Sequence, residues 1–274
     1  MNPYQNELNV GRRIAQRAGE IALDYKSKGI GFESKSDESP VTIADRECEK
    51  LVVAELQEAF PGDGLLGEEG AMKESHNGRR WIIDPIDGTR DFIRGTRAWS
   101  VLIGLEENGR VVAGFAYFPA HLEMYFASKG GGAWWIPAPE AEPQRVRVSG
   151  ISQLSEALVC FNGLSYAHRY PFSKNLTDWL AGTWTVRSMG GCVDAMLVSS
   201  GRADIWVETQ AKPWDLAPLK IIAEEAGCVT FDFDGNDTIY GGNYVIAVPA
   251  LADEVAVPGA KWQWTARGDV RLVG

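Results

Sequence analysis

The sequence predicts an α+β half followed by an α/β half, on three observations. A helical period fills most of the first sixty residues, short strands broken by turn residues run from Trp81 to about residue 150, and strands then alternate with helices. Ile14, Ala18, Ile21, Ala22 and Tyr25 recur at helical spacing and predict an amphipathic helix over roughly residues 6–28. The polar stretch "ESKSDESP" reads as a loop. "PVTIADRECEKLVVAELQEAF" predicts a second helix, with Thr42 and Asp45 spaced as a capping pair and "PGDG" as the stop. From Trp81, "WIID", "WSVLIGLEE", "RVVAGFAYFP", "LEMYFASKG" and "RVRVS" are rich in β-branched and aromatic residues. Turns such as Glu107-Asn108-Gly109 separate them, which predicts an antiparallel meander. Beyond it come "ALVCFN", "TVRSMG", a small-residue helix near 191–201, "ADIWVE", a helix from Asp215 to Ala226, "CVTFDF" and "YVIAVP". The chain therefore divides into subdomains 1–150 and 151–274, and the tail after Val257, with Trp262 and Trp264, is assigned to no element.

The bulk numbers exclude several classes. At 274 residues, 45% hydrophobic and 23% charged, this is an ordinary globular composition. A net charge of −10, from 27 basic and 37 acidic residues, argues against a nucleic-acid partner. A small phosphorylated ligand remains compatible, because a bound metal overrides the global field locally. No apolar run is long enough to cross a bilayer, so no membrane partner is expected. "MNPYQNELNVGRR" shows no basic segment leading into an apolar one, so no signal peptide is expected either. Cys48, Cys160, Cys192 and Cys228 are far apart, lack zinc-ligand spacing and read as free thiols of a reducing cytoplasm.

Four acidic pieces carry the chemistry: "VTIAD" with Asp45, "GEEG" with Glu68 and Glu69, "DPIDGT" with Asp84 and Asp87, and "WDLAP" with Asp215. Each acid follows an apolar segment, which places it at a strand end or a helix start. Like charges gathered there raise one another's pKa unless a cation neutralises them, and hard Mg²⁺ takes carboxylate, water and phosphate oxygens. Proline between the aspartates stiffens the turn, so the Ile86 carbonyl can also face a metal. Gly88 and Thr89 open a short helix whose N–H groups suit phosphate. Together these suggest metal-assisted hydrolysis of a phosphate ester. Singly, each has a plainer reading. D-P-x-D is ordinarily a turn, "GEEG" a solvated acidic loop, Asp45 a cap, and Asp215 an N-cap with Trp214 as its apolar staple.

"WIIDPIDGTRDF" and "WDLAPLKIIAEEAG", with "GEEG" and "PVTIAD" in the same order, resemble the signatures of the inositol monophosphatase superfamily, over about residues 8–250. The resemblance implies a layered α/β/α/β/α sandwich with the site between its two sheets. It also implies a magnesium-dependent, lithium-sensitive, commonly dimeric phosphomonoesterase holding two or three Mg²⁺ ions. By it, Glu68, Asp84 and the Ile86 carbonyl hold the first ion, and Asp84, Asp87 and Asp215 the second. A third ion leans on Glu68 through water. Gly88 and Thr89 bind phosphate through backbone amides, and Thr89, hydrogen-bonded to Asp45, orients the attacking water. Lys35 matches a position near the metal loop, where a plain surface lysine is the other reading.

For the substrate, "FIRGTRAWSVLIGL" with Arg94, Arg97 and Trp99, "FESKSDESPVTIADRECE" and "KGGGAW" resemble the histidinol-phosphatase branch more than the inositol branch. One position departs: that branch carries an acid after the glycine of "RSMGGCVDAML", where this chain has Gly191, as in an inositol-type loop. Glu208, seven residues before Asp215, matches a substrate-contacting acid and suits a hydroxyl or an ammonium group. Its alternative is a surface glutamate at a strand end. Arg187 either supports the same loop or pairs with a carboxylate. Trp99, Trp134, Trp135 and Trp184 offer faces for stacking an imidazole, although such residues more often fill cores or interfaces. His76, His121 and His168 show no pairing with a nucleophile, and His121 falls in a turn. Histidinol phosphate thus leads. Inositol monophosphate, adenosine 3′,5′-bisphosphate and fructose 1,6-bisphosphate follow, and the non-enzymatic alternative is a regulatory binding protein of the same family.

Overall fold

The computed structural model describes residues 2–29, 32–34, 40–255, 262–264 and 270–272. Helix α1 (Gln5–Lys28) leads through a two-stranded ladder, β1 (Phe32–Ser34) with β2 (Pro40–Thr42), into α2 (Ile43–Ala59). The ends of the segment expected as a loop are thus paired strands. The first sheet contains β3 (Gly64–Gly67), β4 (Met72–Lys73), β5 (Arg79–Asp87), β6 (Ser100–Glu107), β7 (Arg110–Phe118), β8 (Glu123–Ser128), β9 (Gly132–Ile136) and β10 (Gln144–Arg145). A short helix, α3 (Thr89–Arg94), follows β5. The order is β10-β9-β8-β7-β6-β5-β3-β4. From β5 to β10 it is the expected antiparallel meander, but β3 pairs with β5 in parallel, and neither β3 nor β4 was anticipated.

The second sheet, in the order β12-β11-β13-β15-β14, comprises β11 (Leu158–Asn162), β12 (Thr185–Arg187), β13 (Ile205–Glu208), β14 (Val229–Phe231) and β15 (Tyr244–Ala247). Helices α4 (Leu164–Ala167), α5 (Leu176–Ala181), α6 (Gly191–Ser199) and α7 (Pro213–Ala226) lie between its strands in sequence. β11 runs parallel to both β12 and β13. In the tail, β16 (Trp262–Trp264) pairs with β17 (Val270–Leu272).

Three apolar clusters separate five layers. Ile14, Ala18, Val52 and Leu56 of α1 and α2 meet Trp81, Ile83 and Phe115 on one face of the first sheet. Ile82, Leu102 and Ala116 on its other face meet Met196, Leu219 and Ile222 of α6 and α7, and the same cluster continues to Trp206 and Ile246 of the second sheet. Val159, Phe161 and Val207 on the far face of that sheet pack with Phe172, Leu176 and Leu251. Both sheets are therefore buried on both faces. That explains why their strands read as near-continuous apolar runs rather than alternating ones. The α/β/α/β/α sandwich expected by resemblance is the observed architecture. All four cysteines are free and buried. Among the described residues, no helix is long and apolar enough to cross a membrane.

Helix α7 is the shared middle layer, and two glycines let it approach the first sheet. A Cβ on Gly104 would stand 2.7 Å from the Ala217 Cβ, and one on Gly114 would stand 2.5 Å from the Ile221 Cγ2. Gly114→Val should therefore wedge α7 away from the sheet. Overpacking of this kind costs about 1–3 kcal/mol, and a thermal melt should fall by several degrees. An unchanged melting temperature would mean that the contact relaxes freely.

Candidate active site

The site starts from an irregularity in β5. Asp84 pairs with Leu102 and Asp87 with Ser100, with a bulge between the two pairs. In a regular strand, residues three apart point to opposite faces. The additional residue on β5 resets that alternation, so Asp84 and Asp87 address the same space. Pro85 has no N–H to offer the ladder and sits inside this break, where none is needed. The Ile86 N–H turns back to the Asp84 Oδ1 at 3.1 Å. Gly88 then adopts φ +83° at the head of α3, and a Cβ there would lie 2.8 Å from the Ala98 carbonyl. At the other end of α3, the Lys26 ammonium of α1 caps the Phe92 carbonyl at 2.6 Å.

Helix α2 braces two parts of the site. Thr42 and Asp45 form the expected capping box, with the Asp45 Oδ2 accepting the Thr42 N–H at 2.8 Å and its hydroxyl at 2.5 Å. The Thr89 hydroxyl lies 3.4 Å from the Asp45 Oδ1 and 3.2 Å from the Ile86 carbonyl. Burial, above all, raises the Asp45 pKa. One turn further along α2, Glu49 accepts the N–H groups of Glu69 at 2.8 Å and Ala71 at 2.9 Å. This holds the loop that presents Glu68. A Cβ on Gly67 would strike the Glu49 Oε2 at 2.3 Å, so that loop requires glycine.

Asp215 comes from the middle layer. It is the third residue of α7 rather than its N-cap, which is Lys212, and its Oδ2 accepts the Lys212 N–H at 2.7 Å. Ligand oxygens of Asp84, Asp87 and Asp215 lie within 4.8 Å of one another. They line a cavity of about 260 Å³ together with Glu68, Ile86, Gly88 and Thr89. Burial, then Glu68, Asp87 and Asp215, push the Asp84 carboxyl far above the ordinary range. Burial and then Asp87 do the same to Asp215. Asp87 is pushed up to about 6, chiefly by burial, against hydrogen bonds from the N–H and thiol of Cys192 at the start of α6. Glu68 and Asp215 stand close enough to Asp84 to act on its carboxyl directly. A set of hard oxygens that must otherwise hold protons fits a divalent cation such as Mg²⁺.

The expected substrate residues divide. Glu208 ends β13, and its Oε1 accepts the Gln210 N–H at 3.2 Å. Burial, and behind it the Asp87 and Asp194 charges, push its carboxyl up to about 8. Gly191 lies beside it, since a Cβ there would be 3.5 Å from the Glu208 Oε2. Arg187 turns along its own strand, donating to the Thr185 hydroxyl at 2.7 Å and the Val186 carbonyl at 2.8 Å. None of Arg187, Glu208 and Gly191 lines the cavity of the clustered acids; Glu208 is linked to it through the Asp87 charge. Trp99 is fully buried and meets Phe92 edge-on at 4.9 Å, which makes it core. Lys35 lies outside the described residues. Sequence reasoning missed Glu49 and Cys192. The four-residue step from Asp45 to Glu49 was a visible sign that both acids share one face of α2, whereas nothing local marked Cys192.

With this geometry in view, comparison with known proteins identifies the class. The profile of the inositol monophosphatase family matches residues 4–264, and the chain belongs to that family. A histidinol-phosphatase of Chlorobaculum parvum is 39% identical over 242 residues, covering 88% of this chain and 91% of the relative. An inositol-1-monophosphatase of Mesorhizobium japonicum is 35% identical over 253 residues, covering 88% and 90%. The solved structure of a Thermotoga maritima IMPase superposes with a TM-score of 0.80 at 28% identity, covering 92% of this chain and 96% of that one. The protein is accordingly a phosphatase.

The raised carboxyls fix the direction of a pH effect. Unfolded aspartates titrate near 4, so between that pH and their raised native values the metal-free fold binds more protons than the unfolded chain. Its stability then declines as pH rises through that window, which for Asp87 runs up to about 6. A cation replaces those protons, so the melting-temperature gain from millimolar Mg²⁺ should be larger at pH 8 than at pH 5.5. Equal gains at both values would mean that these acids are not the ligands.

Proposed function

We propose that this phosphatase is a Mg²⁺-dependent monoesterase whose substrate is histidinol phosphate. The observation that supports the metal chemistry best is the convergence of Asp84, Asp87 and Asp215, with Glu68 at its edge. In this reading Glu68, Asp84 and the Ile86 carbonyl hold one ion, and Asp84, Asp87 and Asp215 hold another. Bound there, the cations supply Lewis-acid activation of water and neutralise charge on the leaving oxygen and phosphate. Gly88 and Thr89 sit where their N–H groups, unused within α3, can receive phosphate oxygens. Ionised Asp45 accepts a hydrogen bond from the Thr89 hydroxyl, which keeps its proton. The Thr89 oxygen is then free to accept a hydrogen bond from the attacking water and to hold it in line with the phosphorus. Water and phosphomonoester become alcohol and inorganic phosphate, with no covalent enzyme intermediate required.

Two features favour a cationic substrate. The histidinol-phosphatase relative is more identical to this chain than the inositol-1-monophosphatase relative. The second is chemical: beside the clustered acids, Glu208 remains as a further, half-buried carboxyl with no basic side chain among its main influences. An ammonium group placed there stabilises its ionised form, whereas a neutral polyol offers only hydrogen bonds. Gly191 leaves the space next to Glu208 open to such a group.

The test is kcat/KM measured side by side on histidinol phosphate, inositol 1-phosphate, adenosine 3′,5′-bisphosphate and fructose 1,6-bisphosphate, with Mg²⁺ present. Histidinol phosphate should lead by at least about tenfold, the scale of one well-placed contact. Glu208→Gln should lower its kcat/KM by a similar factor while changing the inositol ester less. Asp87→Asn should cripple turnover at limiting Mg²⁺ with the fold retained. Equal loss on all substrates for Glu208→Gln would reject the ammonium contact. Wild-type rates for Asp87→Asn would reject the ligand assignment.

A further inference from the structure

The start of α6 faces the site at two points: Cys192, whose N–H and thiol act on the Asp87 carboxyl, and Gly191, where an added Cβ would stand 3.5 Å from the Glu208 Oε2. It approaches through a turn, residues 188–190, that ordinary backbone preferences do not hold in place. Gly190 has φ +142°, a conformation open essentially to glycine. A Cβ on it would lie 3.0 Å from the Ala98 Cβ, so the turn is seated tightly against the segment leading into β6. Met189 is exposed, which leaves the turn without an apolar anchor of its own.

One side chain supplies the anchor. Asp194 has no solvent exposure at all. Its Oδ2 accepts three hydrogen bonds: from the Asn162 side-chain amide at 2.8 Å, the Met189 N–H at 3.0 Å and the Gly190 N–H at 3.4 Å. Asn162 in turn accepts the Ser188 hydroxyl at 2.9 Å, so three consecutive turn residues are tied to one buried pair joining α6 to β11. The other oxygen, Oδ1, is buried and accepts no N–H or O–H donor. The buried Cys160 thiol is the remaining polar neighbour of this carboxyl, and burial first, then Asp194, push that thiol up.

We infer that Asp194 is a positioning residue of this phosphatase: its carboxylate clamps the 188–190 turn and thereby sets the head of α6 against Asp87 and Glu208. The inference rests on the reading of Asp87 as a metal ligand. It makes the geometry of the clamp, rather than its charge, the active property. An asparagine can place its amide oxygen at the Oδ2 position and keep all three donors satisfied, with its NH₂ group beside the Cys160 sulfur, a weak acceptor. Alanine can do none of this.

The experiment follows Mg²⁺ binding by thermal shift and calorimetry, alongside kcat/KM. Asp194→Asn should bind Mg²⁺ within about threefold of the wild type and keep the wild-type order of substrates. Asp194→Ala, studied well below its melting temperature, should bind Mg²⁺ at least about tenfold more weakly, the scale on which removing an outer partner of a metal ligand acts. Wild-type Mg²⁺ affinity in Asp194→Ala would overturn the inference, as would a tenfold loss in Asp194→Asn. Amide exchange on the unmodified, metal-free protein gives a readout independent of how the alanine variant folds. The Met189 and Gly190 N–H groups should be protected at least about a hundredfold despite their place in an exposed turn, and exchange at the rate of a free loop would overturn the clamp. A wild-type protein that releases no phosphate would sink the substrate reading, while the exchange and Mg²⁺-binding readouts would still judge Asp194.

Discussion

Repulsion among crowded carboxyls is the constraint on which this structure turns. Buried Asp84 and half-buried Asp87 and Asp215 gather their oxygens within 4.8 Å, with Glu68 beside them, and the crowding raises the carboxyl pKa values of Asp84 and Asp215 behind the larger effect of burial. Holding them there takes rigid supports from several layers. β5 delivers two acids through a bulge, α2 fixes the Glu68 loop through Glu49, and α7 brings Asp215 from between the sheets. Each support is itself buried or hydrogen-bonded, so the strain at the site is spread over packing that cannot easily yield.

The same constraint explains why the site lies where two sheets share a helix layer. A single sheet presents one edge of strand ends; a second sheet behind α6 and α7 adds a wall bearing Glu208. The proposed metal-binding acids belong mostly to the first wall and the proposed selectivity to the second, with Asp87 coupled to both through Cys192 and Glu208. That separation fits a family whose members here carry both histidinol-phosphatase and inositol-1-monophosphatase names.

Much of this was legible in the sequence, and the parts that were not share a physical character. The clustering of Asp84, Asp87 and Asp215 was readable because the acids belong to short local patterns that are improbable in combination: strand, Asp, Pro, Asp, Gly, Thr in the first, and Trp, Asp, Leu in the second. The Thr42–Asp45 cap was readable because capping is a three-residue event. The parallel pairing of β3 with β5 was hidden, because β3 is four residues long and its partner choice is made across the sheet. The bulge could not be read from "DPID" because it is defined by register against β6. Asp215 was assigned to the wrong helical position because Pro213 starts α7 two residues earlier than the acid suggested. Glu49 and Cys192 act on residues far away in the chain, and no window of local sequence contains both partners; Asp194 holds Met189 and Gly190 only four or five residues away, but its tie to Asn162 crosses 32 positions.

The placement of Asp215 in α7 also has a consequence for how the chain matures. Glu68, Asp84 and Asp87 are synthesised early and can come together once the first sheet closes. That sheet, however, lacks the cover of its second face until α7 has emerged and docked. The last acid of the cluster therefore arrives on the same element that completes the core. A partly folded or truncated chain presents an incomplete ligand set over an uncovered sheet. In the proposed reading, a cation that needs the full set can bind only once the topology is finished.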